Sequence, residues 1–212
     1  MTQQIAGPAG ALEVRLEPPR APAQPATVAV ICHPHPVYGG TMDNKVVYTL
    51  ARCALDAGFA AARFNFRGVG KSAGSFDHGA GETEDAAAVL EWARGQQRAE
   101  RFVLMGFSFG AAVALRLAAR TAPAQLVTIA PPLGYFEHEA MPRPACPWLV
   151  VHGDADTTVP WAETKASIEQ HGLKPQIVVL PGVEHFFHGR LGELRAAVTP
   201  VLQGLAQPRQ SS

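Results

Sequence analysis

Ser108, Asp156 and His185 have the types and the chain order that nucleophilic attack on an acyl carbonyl requires. A serine hydroxyl is a weak nucleophile at neutral pH; it needs a base beside it, and the base needs a carboxylate to orient it. Ser108 is the centre of Gly106-Phe107-Ser108-Phe109-Gly110, between an apolar run (102–105) and a helix-forming run (111–120). A strand that turns directly into a helix lifts its apex side chain out of the sheet, and glycines two positions before and after relieve the crowding. The hydroxyl is then exposed beside the free N–H groups of a helix N-terminus. Asp156 and His185 each follow an apolar, β-branched run, 148–151 and 176–180. In open α/β sheets, functional groups collect at such strand ends. Asp154 is the alternative acid but reads as a turn cap. His188 is the alternative base, although Gly189 follows it and the last helix is near. His152 reads as a residue that fixes its own loop, and His78, His138 and His171 as solvated.

A second G-x-S-x-G match, Gly70-Lys71-Ser72-Ala73-Gly74, has a loop before it and Ser75-Phe76-Asp77-His78-Gly79 after it, which is turn chemistry. Ser72 therefore lacks the setting of a nucleophile. The Gly70-Lys71-Ser72 segment also imitates the end of a phosphate-binding loop, but Asn65 stands where that motif needs glycine, and no helix opens at Ser72.

The elements that must hold these side chains are legible as an alternation. Strand-like runs at 27–32, 61–66, 102–107, 125–129, 148–151 and 176–180 are separated by helical patterns. Val47, Leu50, Ala51, Ala54 and Leu55 share one face before Gly58; Ala86, Val89, Leu90 and Ala93 share another before Gly95. Further helices are expected at 161–170 and 191–202. The pattern predicts an α/β fold: a mostly parallel sheet of about six to seven strands with helices on both faces. Residues 1–212 read as one domain. Segment 11–16 reads as an antiparallel edge strand, while 1–10, the Pro-rich 18–25 and the tail from 207 are expected to be poorly ordered.

Lys plus Arg and Asp plus Glu both total 18, which disfavours nucleic-acid or anionic-membrane partners. No apolar stretch approaches membrane-span length, and the first residues lack a basic, then apolar, leader pattern. Cys32, Cys53 and Cys146 are odd in number and far apart, so they read as free thiols in a reducing, cytoplasmic setting. His33-x-His35 is a possible metal pair without companions at ligand spacing, so neither metal nor cofactor is expected.

The segment His152-Gly153-x-x-Asp156-x-x-Val159-Pro160 resembles the acid turn of the α/β-hydrolase family, with Asp156 at the acid position. Gly182-x-x-His185-x-Phe187 resembles its histidine turn. Cys32-His33-Pro34-His35-Pro36, followed by Gly39-Gly40-Thr41-Met42-x-Asn44-Lys45, resembles a small, lidless bacterial subgroup related to dienelactone hydrolases. The resemblance covers nearly the whole chain and implies an α/β-hydrolase fold with no lid domain. Dienelactone hydrolases proper use a cysteine nucleophile, and serine at 108 moves the expectation towards ordinary ester hydrolysis.

An oxyanion hole then needs the Phe109 N–H, after the nucleophile, and one N–H from the loop after residue 32. Pro34 and Pro36 have none to give and rigidly flank His35, so His35 is the expected donor, with Val37 and Tyr38 as alternatives. Tyr38, Tyr135, Phe136, Trp161 and Phe186 are candidate linings of an apolar acyl pocket, and Phe107 is expected to point inward. About 18 residues separate the strands ending at 129 and starting at 148, too few for a helical lid. The expected partner is a small-molecule ester with a small or flexible acyl group, cleaved through an acyl-enzyme. A peptidase or acyltransferase would use the same triad, and a binding module would keep the fold without turnover. His33, Lys45 and the oligomeric state receive no assignment.

Overall fold

The computed structural model describes residues 2–136 and 140–206. Among them one sheet is built from β1 (Thr2–Gly7), β2 (Gly10–Glu17), β3 (Thr27–Cys32), β4 (Ala60–Phe64), β5 (Arg101–Phe107), β6 (Gln125–Ile129), β7 (Trp148–Gly153) and β8 (Gln176–Leu180). Their spatial order is β1-β2-β4-β3-β5-β6-β7-β8. The pairs β1–β2 and β2–β4 are antiparallel, and every pair from β4 through β3 to β8 is parallel.

Central strands have no polar alternation because both faces are covered. Val28, Val30 and Cys32 of β3 join one core with Ala86, Val89 and Leu90 of α2 (Ala80–Gln97), Ala112, Val113 and Leu115 of α3 (Phe109–Thr121) and Ile168 of α4 (Trp161–Gln170). Ala29 and Ile31 join the opposite core with Val47 and Leu50 of α1 (Lys45–Asp56) and Leu194, Val198 and Leu202 of α5 (Leu191–Ala206). Each fully buried Val, Leu or Ile contributes about 1.5–3 kcal/mol, so this two-sided packing anchors the strand ends from which the functional loops leave.

Four expectations need correction. The sheet has eight strands, because Thr2–Gly7 is not disordered but forms β1, pairing from Thr2↔Arg15 to Gly7↔Gly10. Only Ile5 of its six residues is buried, so its place depends on backbone pairing that leaves no apolar signature. Consequently 11–16 lies in the second strand, not at the edge. Helix α2 runs past Gly95, whose Cα faces open space. A glycine there costs about 1 kcal/mol relative to alanine without breaking the helix, and Arg98, at φ +47°, ends it instead. The tail from 207 and His138 lie outside the described residues.

Candidate active site

β5 enters α3 through Ser108 alone. The serine sits at φ +54°, ψ −123°, a conformation that costs a non-glycine residue about 1–3 kcal/mol. The surroundings enforce it: the Ser108 N–H donates to the Ile129 carbonyl at 2.8 Å, and its own carbonyl accepts from the Ala111 N–H at 2.8 Å. The flanking glycines are needed for close approach. A Cβ on Gly106 would collide with the Gly110 carbonyl oxygen, and one on Gly110 with the carbonyl oxygens of Cys32 and His33.

The three side chains converge. His185 Nε2 lies 3.1 Å from Ser108 Oγ, and His185 Nδ1 lies 2.7 Å from Asp156 Oδ2. With Nδ1 donating to the carboxylate, Nε2 is left to accept the serine proton. The other carboxylate oxygen, Oδ1, accepts from the N–H groups of Thr158 at 2.9 Å and Val159 at 2.8 Å. Asp156 is only 4% exposed. Burial by itself would raise its pKa, but the His185 hydrogen bond, the two backbone donors and the nearby imidazole outweigh it and hold the carboxyl below its usual range. Beneath the imidazole lies the fully buried Phe107 ring, 5.0 Å away. His152 donates from Nε2 to the Val159 carbonyl at 2.8 Å and so braces the same turn. Asp154 Oδ1 accepts from the Gly182 N–H at 2.6 Å, joining the acid and histidine turns as a cap. His188 is exposed.

Backbone donors beside Ser108 differ in their commitments. In the 33–40 loop, the Val37 N–H donates to His35 Nδ1 at 3.3 Å, Tyr38 and Gly40 donate to the His35 carbonyl, and Gly39 donates to the Pro36 carbonyl. His35 has no such bond from its own N–H, which is therefore uncommitted. At the start of α3, Phe109 N–H is one of the groups that an intrahelical ladder leaves unpaired. The His35 and Phe109 rings are 5.0 Å apart, which keeps the two residues side by side.

His33 does not form a metal pair with His35, since both its ring nitrogens are engaged. Nδ1 donates to the Pro34 carbonyl at 2.6 Å, and Nε2 accepts from the Phe66 N–H at 3.0 Å. Complete burial lowers its pKa to about 4, partly offset by the Pro34 bond, so the ring is neutral at pH 7. Ser72 is likewise structural. Its Oγ accepts from the Glu13 N–H at 2.9 Å and donates to the Asn65 carbonyl at 2.7 Å.

The candidate lining divides. Tyr38 is 84% and Phe186 51% exposed, on the His35 and His185 sides respectively. Tyr135 is half-buried, 5.7 Å from Phe109. Trp161 is half-buried against the His152 ring at 5.3 Å. Phe136 is a correction: it is 2% exposed and packed in the core beneath the Arg116 guanidinium, so it cannot line an open surface. Sequence reasoning missed Phe76, whose half-buried ring is 4.8 Å from His35 and 5.6 Å from Phe109. The signal was Gly79-x-x-Glu82, a spacing at which a glutamate in the first helical turn reaches back to the N–H of the residue before the helix and fixes the chain just after Phe76. Lys45 opens α1 with an exposed side chain.

Residues 11–142 match the family of X-Pro dipeptidyl-peptidases (S15 family). An α/β serine hydrolase homologue from Coxiella burnetii is 44% identical, with a TM-score of 0.88 over 95% of this chain and 97% of that one. An α/β serine hydrolase without a lid from Xanthomonas campestris is 42% identical, with a TM-score of 0.90 over 98% and 96%. An uncharacterised protein of Rickettsia prowazekii is 34% identical over 206 residues, 92% of this chain and 86% of the relative. With the family shared over residues 11–142 and the architecture over nearly all of the chain, this protein belongs to the S15 family of α/β serine hydrolases and is built without a lid.

Proposed function

We propose that this hydrolase cleaves carboxylic esters of small or flexible acyl groups through an acyl-enzyme. Ser108 attacks the carbonyl while His185 Nε2 takes its proton, and Asp156 holds the imidazole in the receptive tautomer. The N–H groups of Phe109 and His35 stabilise the oxyanion of the tetrahedral intermediate. As it collapses, His185 returns the proton to the departing alkoxide. Water, activated by the same imidazole, then attacks the acyl-enzyme and releases the acid and Ser108. The observation that carries this reading is the unbroken Asp156–His185–Ser108 chain, at 2.7 and 3.1 Å.

One feature favours apolar esters as small-molecule partners. Among the described residues five large hydrophobic side chains are exposed, and three of them, Val37, Tyr38 and Phe186, lie on segments that carry His35 or His185. Apolar groups exposed beside a nucleophile suit an apolar acyl or alkyl moiety. Tyr135 and Trp161 complete the proposed lining. Cys32, Cys53 and Cys146 are free thiols, which supports a reducing, cytoplasmic location. No helix among the described residues is long and apolar enough to cross a membrane.

A peptidase reading has one observation in its favour, the family match over residues 11–142. p-Nitrophenyl esters of increasing chain length, assayed beside X-Pro p-nitroanilides, separate the two. The ester reading expects turnover of the esters alone, and faster turnover of the anilides overturns it. In the same assay Ser108→Ala should lower kcat by something on the order of 10⁴ to 10⁶, while Ser72→Ala keeps kcat and loses about 1–3 kcal/mol of stability through its two buried hydrogen bonds. Equal kcat losses in both would rule out Ser108 as the nucleophile.

A further inference from the structure

We propose that Phe76 is a positioning residue for the oxyanion hole, the wedge that fixes the spacing between the N–H groups of His35 and Phe109. The inference rests on the ester-hydrolase reading above and adds an element that the triad does not contain. Three rings close a triangle: His35 to Phe109 at 5.0 Å, His35 to Phe76 at 4.8 Å and Phe76 to Phe109 at 5.6 Å. Two corners are the donor residues themselves. They come from different parts of the chain, the loop after β3 and the first residue of α3, and no hydrogen bond joins their side chains to set their separation. Phe76 comes from a third segment, between β4 and α2, and touches both.

A wedge works only if its own backbone is fixed, and that segment is clamped at both ends. Glu82, fully buried in the first turn of α2, accepts from the Asp77 N–H at 2.8 Å with one oxygen and from the Gly79 N–H at 2.7 Å with the other. Asp85, one turn on and also fully buried, accepts from the Arg67 N–H at 3.0 Å, from Arg67 Nε at 3.0 Å and from Arg67 Nη2 at 2.8 Å. Arg67 Nη2 donates further to the Gly81 carbonyl at 2.7 Å. A buried carboxylate is costly unless its lone pairs are filled. Here two are filled by the backbone and base of this one loop, an investment that a passive surface connection does not need. Tyr38 also packs against the His35 ring, at 4.8 Å.

Phe76→Ala and Phe76→Leu test the proposal through kcat, KM, melting temperature and inhibition by an alkylboronic acid. Ser108 Oγ adds to boron as its proton passes to His185, and a boron-bound oxygen then occupies the oxyanion position. For Phe76→Ala we expect kcat to fall on the order of 10- to 100-fold, less than or comparable with outright loss of a donor. KM should stay within about threefold, boronate affinity should fall by the same factor as kcat, and Phe76→Leu should recover most of the loss. Glu82→Gln, which leaves one backbone donor of the loop unmatched, should move kcat and boronate affinity together in the same direction. A kcat within about twofold of wild type in Phe76→Ala overturns the proposal. So does a rise in KM at constant kcat, which would make Phe76 a substrate contact. Stoichiometric fluorophosphonate labelling at Ser108 is scored on every variant: absence of labelling in the wild type defeats the hydrolase reading itself, whereas intact labelling with unchanged kcat defeats only the wedge.

Discussion

Ser108 holds a backbone conformation that a serine does not choose, and the strain has a return at the level of one side chain. At φ +54° the hydroxyl is aimed out of the sheet, where His185 Nε2 meets it at 3.1 Å. The carboxylate behind the imidazole is equally constrained. Both its oxygens are occupied, one by His185 and the other by the N–H groups of Thr158 and Val159. Asp156→Asn keeps this shape but turns the hydrogen bond round. The amide offers an N–H where Nδ1–H needs an acceptor, so the imidazole adopts the other tautomer and Nε2 carries a proton instead of taking one. We expect a kcat loss of about 10⁴-fold with KM little changed, read with a p-nitrophenyl ester at pH 7.5. Loss of less than tenfold would mean that the carboxylate does not set the tautomer.

At the scale of elements, the β5–α3 corner was legible because its constraints are local. Two glycines, a strand pattern and a helix pattern lie within one short window, and the structure places that corner where the pattern does. The acid and histidine turns were legible for a related reason, each being the direct continuation of an apolar strand, β7 or β8. β1 was not legible, because its Thr2, Gln3 and Gln4 side chains are exposed and its information resides in backbone pairing with β2. Phe76 was hidden in turn chemistry, and Phe136 looked like a loop aromatic until α3 brought Arg116 over it. The local constraint can be broken on purpose. Gly110→Ala drives a Cβ into the carbonyl oxygens of Cys32 and His33, so α3 must move off the end of β3. We expect a loss of about 1–3 kcal/mol by overpacking, together with a kcat loss larger than its KM effect. Gly95→Ala, in the open on α2, is the control and should stabilise the protein by up to about 1 kcal/mol. Equal melting temperatures for the two variants would show that close approach does not hold this corner.

At the scale of the molecule, His33 joins parts that are distant in sequence. One nitrogen holds the loop after β3 through the Pro34 carbonyl, and the other receives the Phe66 N–H just beyond β4. Nδ1 donates whether or not the ring is charged, but the Phe66 N–H needs a bare Nε2, so keeping both bonds requires the neutral ring. Burial depresses the pKa of the folded state to about 4, against about 6.5 in an unfolded chain. Between those values the unfolded chain takes up a proton that the folded protein refuses, so stability must fall as pH drops through that window and level off below it. Full development amounts to roughly 3 kcal/mol from this one ring. His152, also buried, has its pKa lowered mainly by burial and adds a slope of the same sign. Asp156 acts lower on the scale: its depressed carboxyl adds stability above its unfolded value of about 3.9 that is lost as pH falls through its folded one. Urea unfolding from pH 7.5 to pH 4.5 should therefore show a falling midpoint. His33→Gln, whose amide oxygen can still receive the Phe66 N–H, should begin less stable at pH 7.5 yet lose about one proton's worth of slope. An unchanged slope in that variant would remove His33 from the account and leave His152 as the dominant buried titrating ring.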